Sequence, residues 1–365
     1  MKAALFSLVP YLGPAPRGVW PVPSESYSSD VGQQSMELSL DQFQLADEMG
    51  FDWVTVAEHH YAPMSLTPNP MIMAGALTQR VKRAKIALLG PDIPILNPVR
   101  VAEEFAMLDT MTGGRVVAGM LRGTSNEYVT YGLNPAESRE RFEEALELIV
   151  KAWTEPQPFG WIGRYYEFRA VSIWPKPVQK PYPPIYVSAS SPESGEFAAR
   201  NHISVGFAFT TVPFARDAVR HYREQAAVAG WEPGPENVLY RLTIHVADSD
   251  EQAIDDLVSA GAGERRTAYS TSNRAVDDSA ANAGYYGRDT ATQRARHAPH
   301  DLKERMELGQ LITGGAESVL SQIRALRDEL GAGILEVIFQ PLGRDKVLRS
   351  MELFGNKVLP KMREL

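Results

Sequence analysis

The sequence predicts an α/β fold built as a single (β/α)8 TIM barrel with insertions, and three observations support this prediction. Eight short apolar runs alternate with helix-like segments along the chain. The run after Gly113-Gly114 is apolar at almost every position, which suits a strand buried on both faces of a parallel sheet. The length of 365 residues fits one large barrel. A doubly wound open sheet is the alternative, because alternation alone does not show that a sheet closes.

The predicted elements follow from hydrophobic periodicity and from helix start and stop signals. Asn97-Pro98 joins a capping side chain to a residue favoured at the first helical position, and Gly113-Gly114 stops the helix that follows. The predicted strands cover residues 3–9, 51–57, 85–89, 115–120, 185–188, 203–209, 239–246 and 334–339. Besides the helix that begins at Pro98, the predicted helices cover residues 38–49, 69–81, 137–153, 192–201, 213–229 and 345–359, with a long loop at 10–36.

Two segments interrupt the alternation within what the sequence predicts to be one domain spanning residues 1–365. Residues 155–184 are rich in proline and aromatic side chains, and they predict an excursion from the barrel that contains a short hairpin. Residues 260–301 lack periodicity and are dominated by small, polar and charged residues. A long segment of this kind inside a compact domain is usually a functional lid or a disordered loop, and we expect a mobile lid here.

The composition limits the classes of partner. A formal net charge of -8 argues against nucleic acid or an anionic membrane as the main partner. The absence of cysteine excludes disulfides, thiolate metal sites and a cysteine nucleophile. The first residues read as a strand and not as a signal peptide, and no run approaches the ~20 apolar residues of a membrane span. We therefore expect a soluble cytoplasmic protein.

Two groups suited to binding an anion follow consecutive predicted strands. Arg122 stands where the fourth strand ends, and a guanidinium offers a fixed fork of donors to a phosphate. Ser190 and Ser191 follow the fifth strand, and Ser191 before Pro192 predicts a helix cap with free backbone amides behind it. Taken singly, a salt-bridged arginine and a plain cap are the alternatives. In a barrel, however, the two groups would lie at one edge and close on one phosphate.

Glu58-His59-His60 ends the second predicted strand. Alternation puts Glu58 and His60 on one side of the chain and His59 on the other. Two imidazoles and a carboxylate at the catalytic rim of a barrel favour proton handling. A buried structural histidine is the alternative for either imidazole, and a metal site is a weaker one.

The third predicted strand ends in Leu89-Gly90-Pro91. An ordinary turn would explain the glycine and the proline. The functional alternative is backbone that lies flat against a planar ligand, where a side chain would intrude.

The motifs taken together resemble those of the bacterial luciferase-like flavin-dependent monooxygenases. The residues that carry the resemblance are AEHH at the second strand, NPVRVAEE after the third, then LDTMTGGR, GMLRG and PPIYVSASSPES. They occur in order and at the expected spacing over residues 5–201, and beyond that segment the resemblance rests on the strand–helix rhythm. It implies a barrel, usually dimeric or tetrameric, that binds reduced FMN from a separate NAD(P)H-dependent flavin reductase and reacts it with O2.

The resemblance also implies roles for the residues of the cofactor site. Arg122 would hold the FMN phosphate, with help from Ser190 and Ser191. Leu89-Gly90 falls where the family has backbone, often a non-prolyl cis peptide, behind the isoalloxazine ring.

Further positions carry implied roles or depart from the family pattern. His59 matches the histidine that supports flavin oxidation chemistry, and Glu58 is its neighbour, so both are candidate catalytic residues. Tyr128 is a candidate ring or phosphate contact. Leu121 takes the place where luciferase has a reactive cysteine, so light emission is not implied.

The predicted function is therefore that of a two-component FMN monooxygenase acting on a small or medium organic substrate. The expected partners are that substrate, O2, a transient flavin reductase and further copies of the chain in a homodimer or homotetramer. A deazaflavin-dependent oxidoreductase and a non-catalytic FMN-binding protein are the alternatives. A metal-dependent barrel hydrolase is a more distant one.

Overall fold

A closed barrel of parallel strands forms the centre of the computed structural model, which describes residues 1–16, 19–261, 282 and 301–365. The eight barrel strands are β1 (Lys2–Phe6), β2 (Trp53–Val56), β3 (Lys85–Asp92), β4 (Val116–Leu121), β7 (Ile185–Ser188), β8 (Ser204–Ala208), β9 (Val238–Val246) and β11 (Ile334–Phe339). Each strand is hydrogen-bonded to its neighbour in parallel, in the order β11, β1, β2, β3, β4, β7, β8, β9. Pairing of β9 with both β8 and β11 closes the sheet, which confirms the predicted barrel and excludes the open sheet.

The helices surround this barrel. In chain order they are α1 (Ser29–Met49), α2 (Pro70–Arg80), α3 (Pro98–Thr112), α4 (Ser125–Thr130), α5 (Ser138–Thr154), α6 (Pro192–Arg200), α7 (Val212–Val228), α8 (Asp250–Ser259), α9 (Leu302–Glu307), α10 (Ala316–Leu330), α11 (Arg344–Leu353) and α12 (Leu359–Met362), with a π-helical turn (Phe354–Val358) between the last two. Among the described helices, none combines the length and the apolar character that crossing a membrane requires.

Local capping chemistry sets several helix starts where the sequence predicts them. The Asn97 side chain accepts hydrogen bonds from the amides of Val99 and Arg100, at 3.0 and 3.2 Å. Asn69 does the same at the start of α2. Gly113 ends α3 in the left-handed conformation with φ 65°, which a residue without Cβ adopts at little cost.

Buried side chains fill the lower part of the barrel interior. One layer consists of Ala4, Trp53, Ala87, Leu89, Val117, Tyr186, Leu239 and Ile334, all of them buried. The rings of Trp53 and Tyr186 meet edge to face across this layer, with centroids 5.3 Å apart. Each buried aromatic side chain contributes about 1.5–3 kcal/mol by leaving water, and the edge-to-face contact adds roughly 0.5–1.5 kcal/mol.

Two element boundaries near the start of the chain differ from the prediction. The first helix begins at Ser29 and not at residue 38. Its first turns are polar and carry no hydrophobic periodicity, so the sequence pattern does not reveal them. A Cβ at Gly32 in that segment would lie 1.9 Å from the Tyr27 hydroxyl, so the exposed Tyr27 side chain would have to move. β1 ends at Phe6, not at residue 9, because Val9 has φ 53° and cannot continue a strand.

The insertions are only partly described. β5 (Phe159–Ile162) and β6 (Glu167–Val171) pair in antiparallel fashion, so the excursion contains the predicted hairpin. A ninth strand that the sequence analysis did not identify, β10 (Leu311–Gly314), pairs with the second half of β9, beyond the part that β8 covers. The predicted lid at 260–301 lies outside the described residues, apart from positions 260, 261, 282 and 301.

Candidate active site

All the predicted site residues lie along one half of the barrel mouth, at the carboxyl ends of four neighbouring strands. Glu58 and His59 follow β2, and Leu89-Gly90 lies within β3. Arg122 directly follows β4, and the serines at 190 and 191 follow β7. The carboxyl ends of the strands form the face of a (β/α)8 barrel at which active sites are found.

His59 is held by a carboxylate that lies far away in sequence. Its Nδ1 lies 3.3 Å from Oε1 of Glu127, which is buried at the start of α4. The other carboxylate oxygen of Glu127 accepts a hydrogen bond from the Thr124 amide at 2.8 Å and another from the Thr124 hydroxyl. The Nε2 atom of His59 makes no hydrogen bond to any described residue, and 21% of the side chain is exposed. One ring nitrogen is therefore anchored while the other is available at the mouth.

His60 belongs to a second, fully buried cluster. Its Nε2 lies 3.0 Å from Oε1 of Glu58, as alternation along the strand predicts for these two residues. Oε2 of Glu58 accepts a hydrogen bond from the Asp92 amide at 3.2 Å. The His60 ring also meets Tyr131 edge to face at 5.2 Å, so this histidine is packed and does not face the mouth openly.

The carboxyls of the two clusters differ in the direction of their pKa shifts. Burial raises the pKa of the Glu127 carboxyl, but hydrogen bonds from His59 and Thr124 outweigh burial, so its pKa lies below the usual value. Burial raises the pKa of Glu58 despite the hydrogen bonds from His60 and the Asp92 amide. Burial, together with the charges of Glu58 and Glu127, raises the pKa of Asp92 well above its usual value. The hydrogen bonds to Glu127 thus favour its charged form, whereas burial disfavours the charged forms of Glu58 and Asp92.

We expect Asp92→Asn to make the protein more stable at neutral pH and to leave stability nearly unchanged at acidic pH. Because the pKa of Asp92 is raised in the folded state, its contribution to stability falls as pH rises above the usual aspartate value. Asparagine mimics the neutral carboxyl and removes this loss, on the order of 1 kcal/mol. Urea unfolding of the variant and the wild-type protein at acidic and neutral pH measures the difference in their free energies of unfolding. An identical difference at both pH values would contradict the prediction.

The buried side chain of Tyr128 supports the loop that contains Arg122. It is only 1% exposed, and its hydroxyl donates a hydrogen bond to the carbonyl oxygen of Arg122. Arg122 itself is half-buried. The structure therefore shows Tyr128 fixing the backbone that carries the arginine, and its direct contact with a cofactor stays a prediction.

The serines after β7 form a capped turn. Ser191 is the N-cap of α6, and its Oγ accepts a hydrogen bond from the Ser194 amide at 3.3 Å. The hydroxyls of Ser188 and Ser190 lie 2.8 Å apart. Because β4 and β7 are adjacent, with Ala118 opposite Ile185, this turn and the Arg122 loop open at the same edge of the barrel.

The Leu89–Gly90 segment differs from the family expectation in one respect. The cis peptide bonds of the described residues precede Pro21, Pro175 and Pro181, so the Leu89–Gly90 bond is trans. Glycine at position 90 is explained by the protein itself, because a Cβ there would lie 2.8 Å from the backbone nitrogen of Glu58. Close packing of β3 against the end of β2 accounts for this glycine, and contact with a planar ligand is not needed to explain it.

Strained backbone is concentrated at the same face of the barrel. Val9, Tyr61 and Phe209 have φ values of 53°, 56° and 55°, and each follows a barrel strand by only a few residues. A non-glycine residue in this conformation costs roughly 1–2 kcal/mol, and such residues recur at functional sites. Trp20 packs on this region, donating from its indole nitrogen to the His60 carbonyl at 3.0 Å.

Sequence reasoning missed two acidic residues of the site, Asp92 and Glu127. Glu127 carried a signal, because Thr124-Ser125-Asn126-Glu127 is a capping box directly after a strand. Asp92 carried none, since one aspartate after a proline resembles any turn residue. Among the described residues, no group of three or more histidine, aspartate or glutamate side chains is arranged to hold a metal ion.

Several proteins of known sequence match this chain over different lengths. It matches uncharacterized protein y4wF of Sinorhizobium fredii at 31% identity and the oxygenase component of flavin-dependent trigonelline monooxygenase of Acinetobacter baylyi at 28%. These matches cover 44% and 60% of this chain, and they span less than two thirds of each relative, 46% and 62%. The 4-hydroxyprotoasukamycin monooxygenase of Streptomyces nodosus subsp. asukaensis is 25% identical over 90% of this chain and 87% of its own length.

Two solved structures share the fold. The oxygenating constituent of 3,6-diketocamphane monooxygenase from Pseudomonas putida, in complex with FMN, is 21% identical with a TM-score of 0.76, over 99% of this chain and 98% of that one. An F420-dependent secondary alcohol dehydrogenase is 18% identical with a TM-score of 0.69, over 99% of both chains.

The family model for luciferase-like monooxygenases matches residues 18–333, which include the whole of the mouth from β2 to β9. The chain therefore belongs to the luciferase-like monooxygenase family.

Proposed function

We propose that this chain is the oxygenase component of a two-component monooxygenase, which takes reduced FMN from a separate NAD(P)H:flavin reductase and uses O2 to oxygenate a small or medium organic substrate. One observation carries the proposal. An imidazole, His59, is anchored by the ionised Glu127 at the rim of a barrel whose neighbouring strands end in an anion-binding donor set. Such a site combines a proton-transfer group with a place for a phosphate.

The donor set after β4 and β7 suits the phosphate of FMN. It comprises the guanidinium of Arg122, the hydroxyl of Ser190 and the amides at the start of α6, where the helix dipole favours a negative charge. Leu89 and Gly90 would lie beside the ring system, between this cradle and His59. When bound, the reduced flavin would supply the electrons that activate O2.

His59 would hold or move a proton at Nε2, the ring nitrogen that faces the mouth. Hydrogen bonding of Nδ1 to a carboxylate fixes the ring orientation. Glu58 lies on the opposite side of the strand end from His59. It would act as a positioning group, through its hydrogen bonds with His60 and with the amide of the buried Asp92.

Apolar side chains around the mouth would keep water out. Phe6, Leu8, Ala57 and Ile338 form a buried cluster separate from the main core, and Phe209 packs against it. A dry cavity strengthens the electrostatic interactions within it and suppresses side reactions of a reactive oxygen species with water.

We also propose that the chain forms a homodimer or homotetramer through α2 and α3. These two helices pack side by side and expose apolar side chains, with Ile72, Met107 and Met111 showing 75%, 56% and 46% exposure. Large apolar side chains exposed on neighbouring helices are compatible with an interface. Sedimentation velocity of the purified protein tests the proposal, and a monomer at micromolar concentration would contradict it.

A deazaflavin-dependent oxidoreductase is the alternative function, since the fold is shared with an F420-dependent dehydrogenase. A coupled assay separates the two. The protein is supplied either with FMN, NADH and a flavin reductase or with reduced F420, and candidate substrates are screened by mass spectrometry for added oxygen. We expect oxygenated product with reduced FMN and O2 only. Turnover with reduced F420 in the absence of O2 would overturn the proposal, and FMN binding without any O2-dependent product would indicate an FMN carrier.

A further inference from the structure

A charged pair lies inside the barrel, one layer above its packed floor. Arg241 of β9 and Glu336 of β11 are directly opposite each other in the sheet, and Nε of Arg241 donates a hydrogen bond to Oε2 of Glu336. Leu239 and Ile334, two residues earlier on the same strands, belong to the interior layer. Alternation along a strand therefore puts Arg241 and Glu336 on the interior face too, nearer the mouth. They are 8% and 0% exposed.

Aromatic rings hold the guanidinium of Arg241 in place. The central guanidinium carbon of Arg241 lies 3.5 Å from the centroid of the Phe6 ring and 5.6 Å from the centroid of the Phe209 ring. Phe209 is one of the residues held in the left-handed conformation, with φ 55°. Because both rings belong to the apolar cluster at the mouth, the charged pair forms a polar point among otherwise apolar side chains.

The pair leaves hydrogen-bonding groups unused. Oε1 of Glu336 and the hydroxyl of Thr55, the residue paired with Phe6 on the adjacent strand, are buried and have no hydrogen-bond partner among the described residues. Nη1 and Nη2 of Arg241 also make no hydrogen bond to a described residue. Buried polar groups are nearly always paired, so the two unpartnered oxygens beside a guanidinium with open Nη groups indicate a ligand.

The charge and position of the pair restrict the chemistry of that ligand. The guanidinium is already neutralised by Glu336, so a further anion would gain little from Arg241 and would be repelled by the carboxylate. β9 and β11 lie across the barrel from β3 and β4, and hence away from the edge proposed for the FMN phosphate. A neutral oxygen acceptor beside a ring or alkyl group fits both the free donors and the aromatic walls.

We propose that Arg241 and Glu336 form the substrate-recognition site, in which the Nη donors of Arg241 bind a neutral carbonyl oxygen of the organic substrate, as in a ketone or an amide. This assignment rests on the proposed monooxygenase function. It makes Arg241 a specificity-determining residue, with Glu336 setting the preference for a neutral group over a carboxylate.

Fluorine NMR titration of the FMN-saturated protein tests the proposal with three matched probes: para-fluoroacetophenone, para-fluorobenzoate and para-fluorotoluene. They present a neutral carbonyl, a carboxylate and no oxygen on the same ring. We expect the ketone to bind at least about tenfold more tightly than either of the others, the scale of one hydrogen bond to a charged group. Equal affinity for the ketone and for fluorotoluene would overturn the proposal.

Two variants separate the roles of the pair. Glu336→Gln leaves the guanidinium without its counter-charge, so the preference is expected to shift by about tenfold or more towards the benzoate. Because removal of one partner from a buried ion pair often destabilises the fold, the double variant Arg241→Met, Glu336→Gln removes both charges together. We expect this double variant to lose the discrimination between ketone and fluorotoluene. Unchanged probe preference in either folded variant would overturn the assignment.

FMN affinity distinguishes this inference from the proposed function on which it rests. We expect both variants to bind FMN within about threefold of the wild-type protein, less than one neutral hydrogen bond. A large loss of FMN affinity with unaltered ketone binding would assign the pair to the flavin carbonyls and overturn the substrate role. Wild-type protein that binds no flavin would instead contradict the proposed function itself.

Discussion

Arg122→Ala is expected to weaken FMN binding by about 1.5–3 kcal/mol, the scale of a charge-assisted hydrogen bond, which corresponds to a roughly 10- to 150-fold higher Kd. The guanidinium directly follows β4 and lies at the same barrel edge as the serine turn after β7. No other described residue of these two loops brings a full positive charge to that edge. Equilibrium titration followed by flavin fluorescence measures the change.

A charge-matched control shows whether the effect is local. Arg200 is exposed at the carboxyl end of α6, the helix that follows the serine turn, and it carries the same positive charge as Arg122. Arg200→Ala changes the net charge of the protein equally but leaves the cradle intact, so FMN affinity should stay within about twofold. If both variants lose affinity alike, long-range charge explains the loss. If neither does, the phosphate clamp is wrong.

His59→Ala should leave FMN binding nearly unchanged and reduce the yield of oxygenated product by about 10²–10⁴-fold, the range for loss of a general acid–base group. The imidazole follows β2 and not β4 or β7, and only its Nδ1 is hydrogen-bonded to a described residue. Without it, electrons from the reductase should appear as H2O2 and not as product. The assay follows NADH consumption, H2O2 and product together, with a substrate identified in the coupled assay.

Two further variants distinguish catalysis by His59 from a structural role. His221→Ala removes an imidazole on α7, outside the barrel, and should keep the wild-type coupling of oxygen to product. Glu127→Gln keeps the shape of the partner but removes its charge, so we expect intermediate coupling and an altered pH–rate profile. Normal coupling in His59→Ala would show that this histidine is structural.

Local chemistry explains which parts of the fold were predictable. The caps at Asn97 and Ser191 and the left-handed Gly113 act within a few residues, so a short stretch of sequence contains all the information. The alternation that separates His59 from Glu58 and His60 is equally local. These predictions are confirmed, as is the closure of the eight strands into a barrel.

The features that were missed depend on contacts between distant segments. Glu127 meets His59 across 68 positions in sequence, and Arg241 meets Glu336 across 95. Neither pair follows from a local pattern, because the barrel brings the strand ends together only after it has closed. The early start of α1 and the ninth strand β10 have the same cause, since tertiary packing and not intrinsic propensity determines both.

The proposed flavin site depends most strongly on recognition of a mononucleotide phosphate between the β4 and β7 loops. The most direct test compares the Kd of reduced FMN with that of reduced riboflavin, which lacks only the phosphate, by anaerobic equilibrium dialysis. We predict that FMN binds at least about tenfold more tightly, as expected for one charge-assisted hydrogen bond or more, and that Arg122→Ala abolishes this advantage. Equal affinity for the two flavins in the wild-type protein would contradict the account.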